Sequence, residues 1–275
     1  SEKISISLIR FGIPISVMGL LLKAGINIDL INSAVLAFLT IIFFIVFINY
    51  VPGLKNIFPN YSLQLAGLIG NTSFLGIPIA IAVLPTETIN FTIGFDLGTT
   101  FFSWIFGPYL LQKTSTNYSL LNLRKLAFSI FNSPVSRGII GVLTIYLFGL
   151  ESTMKDFLWI PARVVIYLAI IVVGIRLGII TNNGKVVFQS KEEIKYTLLL
   201  KLIILPFFMY LICKILSFER TETIALVLQA GTPSAISTIL MAEAYKKKRE
   251  LAAKALFKTT ICSIVTIPLL FLLIN

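Results

Sequence analysis

The 275-residue chain contains no histidine and only two cysteines, and charged residues make up just 13% of it. Without histidine, histidine-based acid–base catalysis, a histidine-ligated metal or haem and a histidine proton switch are all excluded. Cys213 and Cys262 both lie in apolar stretches, where we expect small buried hydrophobes. The sequence also lacks a nucleotide-binding glycine loop, so any use of ATP would require a separate subunit.

Long apolar stretches take the place of the missing charge. Hydrophobic residues make up 57% of the chain, and a typical soluble domain carries about 25% charged residues, far more than this chain has. Nine segments are apolar enough to be membrane spans. They lie at approximately 7–24, 31–51, 63–84, 89–112, 135–150, 158–180, 196–217, 223–245 and 251–274. The composition therefore predicts an all-α polytopic membrane protein.

The basic residues indicate the orientation of the chain. Most of the 23 lysines and arginines lie at the chain start and in the loops after segments two, four, six and eight. The opposite side holds Lys23, Lys155, Arg163, Lys214 and Arg220. Because basic loops stay in the cytoplasm, the loops at 113–134, 181–195 and 246–250 are predicted to be cytoplasmic and Asn275 to lie outside a plasma membrane.

This orientation also accounts for the net charge of +11. The basic run 246–249 is expected to meet anionic lipid of the bilayer, so no nucleic acid partner is expected. The amphipathic stretch 118–131 is predicted to lie along the membrane surface.

Two of the apolar segments are interrupted by glycine, proline and polar residues. The first interruption reads GLIGNTSFLGIP over 67–78, and the second reads QAGTPSAIS over 229–237. Pro78 and Pro233 cannot donate a backbone hydrogen bond, so both are predicted to make the breaks. Thr232 and Pro233 are interpreted as a helix N-cap followed by the first helical residue. Irregular backbone at membrane depth survives only inside protein or beside water, and secondary transporters bind substrate at such breaks.

The two interrupted segments belong to a weak internal repeat. Gly70-Asn71-Thr72 aligns with Gly231-Thr232-Pro233, and Pro108 aligns with Pro268 at nearly the same spacing. Segments one to four then match segments six to nine, and segment five has no partner. One more segment before Ser1 would give two copies of five, and an odd number of spans inverts one copy. We therefore predict inverted repeats at 1–117, with the first of its five helices missing, and at 118–275.

These motifs resemble those of the auxin efflux carrier (PIN-like) family. Residues 70–78, GNTSFLGIP, match the family signature GNTxxxGxP. The stretch from Thr232 to Ala235, followed by MAEAY at 241–245, is similar to the family's second crossover segment. Asn132-Ser133-Pro134 is similar to the Asn-Pro pair that often starts its sixth helix. The resemblance covers the whole chain except one expected N-terminal helix.

The resemblance implies an elevator-type fold, similar to that of bile acid symporters, with inverted five-helix repeats and two crossing broken helices. It implies a scaffold at 1–26 and 132–181 and a mobile transport part at 30–112 and 195–275. It also implies export or exchange of a small organic anion, a mono- or dicarboxylate, without a cofactor. A homodimer through the scaffold would depend on the missing helix.

The candidate substrate-binding residues lie at the two interruptions. They are Asn71, Thr72, Ser73, Gly76, Gly231, Thr232 and Ser234. Free amides at the start of a half-helix, with the asparagine amide and the hydroxyls, suit a carboxylate. The alternative is that these small polar residues only pack the helices together. No lysine or arginine is expected at this depth, so binding should be weak enough for release.

Two acidic residues are candidates for coupling to a proton or sodium gradient. Asp96 is the only acid deep in an apolar segment, where an ionised side chain is costly and usually functional. The alternative is a hydrogen-bonded structural aspartate. Glu243 lies near the cytoplasmic end of its segment, and its alternative role is to pair with nearby lysines.

Three functions remain open on this reasoning. The first is a secondary transporter of a small organic anion. The second is a sodium-coupled symporter of the bile acid type, and the third is a membrane receptor that does not transport. A membrane enzyme is disfavoured, because the membrane segments hold no paired acids and no metal-ligand cluster.

Overall fold

The structure, a computed structural model, describes residues 7–112, 134–182, 192–245 and 247–275. The predicted surface stretch 118–131 lies outside the described residues, as do 132–133 and the loop 183–191. Nearly all of the described residues are helical, which confirms the all-α class. The α-helices of the described part are α1 (Ile13–Ala24), α2 (Ile28–Tyr50), α3 (Leu54–Ile57), α4 (Tyr61–Leu68), α5 (Ile77–Val83), α6 (Ile89–Gln112), α7 (Pro134–Leu147), α8 (Glu151–Asn182), α9 (Glu192–Leu199), α10 (Leu205–Ile215), α11 (Arg220–Ala230), α12 (Ile236–Ala244) and α13 (Arg249–Ile274).

The helices turn apolar side chains outward. On α2 the exposed residues recur every three or four positions, which is one face of a helix. They are Ile28, Ile31, Val35, Leu39, Phe43, Val46 and Tyr50. Within the described residues, three helical stretches are long and apolar enough to cross a membrane, namely Ile28–Tyr50, Ile194–Ile215 and Glu250–Ile274. An apolar exterior of this kind suits lipid and not water.

Hydroxyl and amide groups lie in the interior. Ser33, Thr99 and Ser103 are at most 2% exposed. Each of these hydroxyls donates to a carbonyl three or four residues earlier in its own helix. A side chain satisfied in this way can sit inside a membrane protein without an unpaired polar group.

Three described segments contain a π-helical turn, and a proline follows each turn. The turns are Leu8–Gly12, Thr72–Gly76 and Leu200–Ile204, and the prolines are Pro14, Pro78 and Pro206. Proline lacks an N–H and its ring clashes with the carbonyl four residues back, and a wider π turn relaxes that contact. Pro161 and Pro268, by contrast, lie inside continuous α-helices. Proline in this chain therefore does not by itself interrupt a helix.

The helices pack in two main sets. Helix α1 packs chiefly against α7 and α8, and α2 packs along α6. The α2–α6 contact is close because a β-carbon at Gly98 would lie 2.9 Å from the backbone carbonyl carbon of Ala34. Small residues permit such close helix packing in membranes. The division into scaffold and transport parts stays a prediction.

Candidate functional site

The two interrupted segments meet at their breaks and complete each other's backbone hydrogen bonds. Gly70 and Ser234 form an isolated antiparallel bridge. The Asn71 amide donates to the Pro233 carbonyl at 2.7 Å, and the Ala235 amide donates to the Ile69 carbonyl at 2.9 Å. Backbone groups that leave a helix at membrane depth need partners within the protein. Each break therefore supplies partners for the other.

The first break does not lie at its proline. Helix α4 ends at Leu68, and Asn71 precedes the π turn Thr72–Gly76. Pro78 follows that turn, as the second residue of α5. The α-helix is therefore interrupted between Leu68 and Thr72, before Pro78 is reached, and the role of Pro78 in causing the break stays a prediction.

The second break contains its proline, but its cap differs from the prediction. The N-cap of α12 is Ala235, without a side-chain capping bond. The Thr232 hydroxyl donates back to the Gln229 carbonyl at 2.7 Å, at the end of α11. Thr232 therefore closes the first half-helix and does not cap the second, so the interpretation of Thr232-Pro233 as an N-cap is wrong.

Glycine allows the two segments to approach closely. A β-carbon at Gly70 would lie 2.8 Å from Lys201 Nζ, and one at Gly76 would lie 2.8 Å from Gln229 Cδ. Real β-carbons do not tolerate such distances. Gly231 is similarly confined by Leu270, 2.6 Å from its β-carbon position. These three glycines serve the packing of the breaks.

A small cleft of about 80 Å³ opens beside the breaks. The first break contributes the candidates Asn71, Thr72 and Ser73 to its lining, and their role in substrate binding stays a prediction. Four other candidates, Gly76, Gly231, Thr232 and Ser234, lie in the segments but not along the cleft. The second segment contributes Ala235, Ile236 and Ser237, helix α6 contributes Thr99, Thr100 and Ser103, and α1 contributes Ile13. The sequence analysis missed these lining residues, because only the packing of α1, α6 and α12 brings them there.

Asp96 lies next to this lining and is 3% exposed. Its Oδ1 accepts hydrogen bonds from Thr72 Oγ1 at 2.5 Å and from Ser73 Oγ at 2.6 Å. The Thr72 hydroxyl also lies 3.3 Å from Thr99 Oγ1. The structure thus unites Asp96 with two predicted binding residues. The Asn71 side chain, 4% exposed, makes no hydrogen bond with the described residues.

Donors from elsewhere in the chain cover the carbonyl ends of the two first half-helices. The Ser234 hydroxyl donates to the Ala66 carbonyl in the last turn of α4, at 2.6 Å. Lys201 Nζ donates to the carbonyl of Ala230, the last residue of α11, at 2.8 Å. Carbonyls in a last turn have no intrahelical partner, and positive charge there is favourable. One carbonyl in the last turn of each half-helix therefore has a donor from a distant part of the chain.

Lys201 corrects the expectation that no lysine lies at this depth. It is 1% exposed and sits in the π turn Leu200–Ile204. Its signal in the sequence is a cation near the start of the apolar run 196–217, whose other cation, Lys214, lies near the opposite end. Glu243 does not join the site, since it is exposed at the end of α12 and does not line the cleft.

Comparison with known proteins relates the chain to membrane transporters. A family model described as membrane transport protein matches residues 126–271. An uncharacterized transporter from Methanocaldococcus jannaschii is 24% identical over 232 residues, which cover 82% of this chain and 73% of that protein. An uncharacterized transporter from Methanothermobacter thermautotrophicus is 26% identical over 212 residues, which cover 76% of this chain and 66% of that protein.

The two serines of the second break, Ser234 and Ser237, should differ in how much they stabilise the fold, because Ser234 donates to the Ala66 carbonyl and Ser237 lines the cleft. Ser234→Ala removes the donor to the Ala66 carbonyl and should lower the free energy of unfolding by about 1–3 kcal/mol. Ser237→Ala, the matched control, changes a half-buried cleft residue and should leave stability close to that of the parent. Thermal unfolding of the purified chain measures both. Equal stability of the two variants would contradict the structural role of Ser234.

Proposed function

The chain belongs to the membrane transport protein family, that of the auxin efflux carriers, and on this premise we propose that it is a secondary transporter that moves a small organic anion by alternating access. The relatives are named as transporters, so the chain is a membrane transporter and not an enzyme. The identity of its substrate, its coupling to an ion gradient and its transport mechanism are proposals that rest on the geometry of the cleft.

The charge distribution at the breaks supports an anionic substrate. Both carbonyl ends of the first half-helices are covered, by Ser234 and Lys201. The amide ends of the second half-helices line the cleft instead, through Thr72 and Ser73 in one segment and Ser237 in the other. First-turn amides lack intrahelical acceptors and carry partial positive charge. Two uncapped helix starts facing one cleft are the observation on which the proposal rests, since they suit a carboxylate.

The size of the cleft supports a compact substrate. Pockets for drug-sized ligands measure about 300–1,000 Å³, and this cleft measures about 80 Å³. A short mono- or dicarboxylate suits that volume better than a ring-containing acid does. Ile13 of α1, the two broken segments and α6 all contribute to its walls. Movement of the broken segments past α1, α7 and α8 would then give alternating access.

Asn71 tests the binding site. Its side chain lines the cleft and is free to donate to a carboxylate, so Asn71→Ala should weaken binding roughly three- to tenfold, which corresponds to about 0.5–1.5 kcal/mol for one hydrogen bond. Calorimetry on the purified chain, with the short carboxylate that gives the largest flux in proteoliposomes, measures the change. Asn90→Ala is the matched control, because Asn90 lies on α6 away from the cleft lining. Parent-like binding by the Asn71 variant would place the substrate elsewhere.

Asp96 provides a physical route to coupling. A substrate carboxylate and the Asp96 carboxylate both accept hydrogen bonds, and they compete for the hydroxyl protons of Thr72 and Ser73. Two like charges close together in a region of low dielectric also repel. A proton or a cation on Asp96 would remove this competition. We therefore propose that the substrate binds together with a proton or a cation.

Sodium is one such cation, and the same cluster supports it. Asp96, Thr72, Ser73 and Thr99 present only oxygen atoms near one point, and oxygen ligands suit hard cations. A sodium-coupled symporter would therefore use the same residues as a proton-coupled carrier. Flux driven by an imposed sodium gradient, compared with flux driven by a proton gradient, separates the two. A receptor would show no saturable flux under either gradient.

Asp96→Asn tests the coupling directly. Asparagine keeps an oxygen that accepts from both hydroxyls but removes the charge. The variant should fold normally, and its flux should no longer respond to the gradient that drives the parent. Glu243→Gln is the comparison, since Glu243 lies away from the cleft and should keep the parent response. An unchanged response in the Asp96 variant would make Asp96 purely structural.

Contacts between loops support the proposed topology. Residues 59–62, after segment two, share a surface cleft with Lys247 and Lys248, after segment eight. Lys23 pairs with Asp156 at 3.6 Å, and Arg220 Nε donates to the Ile274 carbonyl at 3.1 Å. Loops assigned to one side by their charge thus meet each other. We propose that the first group is cytoplasmic and the second external.

Cysteine labelling tests this topology. Single cysteines replacing Lys247 and Thr221, in a variant whose two native cysteines are alanine, are treated with an impermeant thiol reagent in intact cells. Position 221 should label and position 247 should label only after the membrane is permeabilised. The reverse pattern would overturn the orientation.

A further inference from the structure

A second cleft lies at the start of α4, the end of that helix opposite the first break. It has a volume of about 250 Å³ and is lined by residues 59–62, Leu111, Lys247 and Lys248. The amide end of α4 lies at this second cleft, and its carbonyl end lies at the first break. The described lining of this cleft shares no residue with that of the substrate cleft.

The start of α4 offers hydrogen-bond donors to the cleft. Tyr61 and Ser62 are the first two residues of the helix, and amides at these positions have no intrahelical acceptor. The Asn60 side chain makes no capping bond to them. The next two amides, of Leu63 and Gln64, are already bonded to the Asn60 carbonyl. Two backbone donors with partial positive charge therefore remain.

Ser62 is the second, independent indication of a ligand. The residue is 4% exposed and lines the cleft, and its hydroxyl has no hydrogen-bond partner within the described part of the chain. A hydroxyl in a nearly buried residue normally has a partner. The hydroxyl and the two free amides thus belong to residues that line the same cleft.

The charge of the lining has a single sign. Lys247 and Lys248 are the ionised side chains of the described lining, and no described acid contributes to it. Glu243 and Glu250 flank this loop in sequence, but neither lines the cleft. Two lysines, two helix-start amides and a serine hydroxyl form the donor set that binds phosphate groups in proteins.

We propose that this cleft binds a phosphate group, either of an anionic lipid headgroup or of free phosphate. The ligand would connect the start of α4, where the first broken segment begins, with the loop between α12 and α13, which follows the second broken segment. This site is separate from the proposed substrate site and does not depend on the transport proposal.

The test measures thermal unfolding of the full chain with and without a phosphate ligand. In one arm, the chain in maltoside detergent is titrated with inorganic phosphate against chloride at equal ionic strength. In the other, nanodiscs of phosphatidylcholine are compared with nanodiscs that also contain phosphatidic acid. A rise in the unfolding midpoint in the first arm identifies free phosphate, and a rise only in the second identifies the lipid.

Matched variants decide whether the cleft is responsible. Lys247→Gln combined with Lys248→Gln should weaken the response about tenfold or more, and Ser62→Ala about threefold, as expected for charged and neutral hydrogen bonds. Lys55→Gln removes one charge from an exposed lysine of the neighbouring helix α3, outside the lining. It should keep the parent response. Absence of a response by the parent in both arms, or an equal loss in the Lys55 variant, would overturn the proposal.

Discussion

The structure depends on the pairing of two interrupted helices with each other. An unpaired amide or carbonyl in hydrocarbon costs several kcal/mol, and a break in a membrane helix frees several such groups at once. Here the bonds from Asn71 to Pro233 and from Ala235 to Ile69 close both breaks. Neither interruption could persist alone at this depth. The glycines at 70 and 76 lie against the side chains of Thr232, Lys201 and Gln229, which would have to shift if either position carried a β-carbon.

The chemistry of the cleft follows from this pairing. Once the segments are joined, each leaves a half-helix that ends at the junction and another that starts there. The chain covers the carbonyl ends with Ser234 and Lys201 and leaves the amide ends open toward the cleft. Helix starts of this kind carry partial positive charge. The Asp96 carboxylate already accepts the hydroxyl hydrogens of Thr72 and Ser73 beside them.

The helices bury both apolar and hydroxyl side chains, and apolar side chains also cover the exterior. Apolar side chains such as those of α2 face outward, and hydroxyls lie within. Most of these hydroxyls bond to their own helix, as Ser103 does to Thr99. Hydroxyls bonded in this way can lie among packed membrane helices without leaving an unpaired polar group.

The sequence by itself determined the all-α membrane character, the family and the two segments in which the breaks lie. Apolar length, charge bias and the run Asn71-Thr72-Ser73 are properties of contiguous residues, so they can be recognised without a structure. Asp96 could also be identified, because a lone acid in an apolar segment is unusual wherever the segment packs.

Only the tertiary structure decided what each polar residue contacts. Pro78 has the composition of a helix breaker, yet a π turn accommodates it and the break lies earlier. Thr232 and Ser234 stand in the second motif, but they bond to carbonyls while Ser237 reaches the cleft. Lys201 is a cation in an apolar run whose depth depends on which helix end it meets. A hydrogen bond between distant segments is set by the packing of whole helices, and no local pattern in the sequence contains that information.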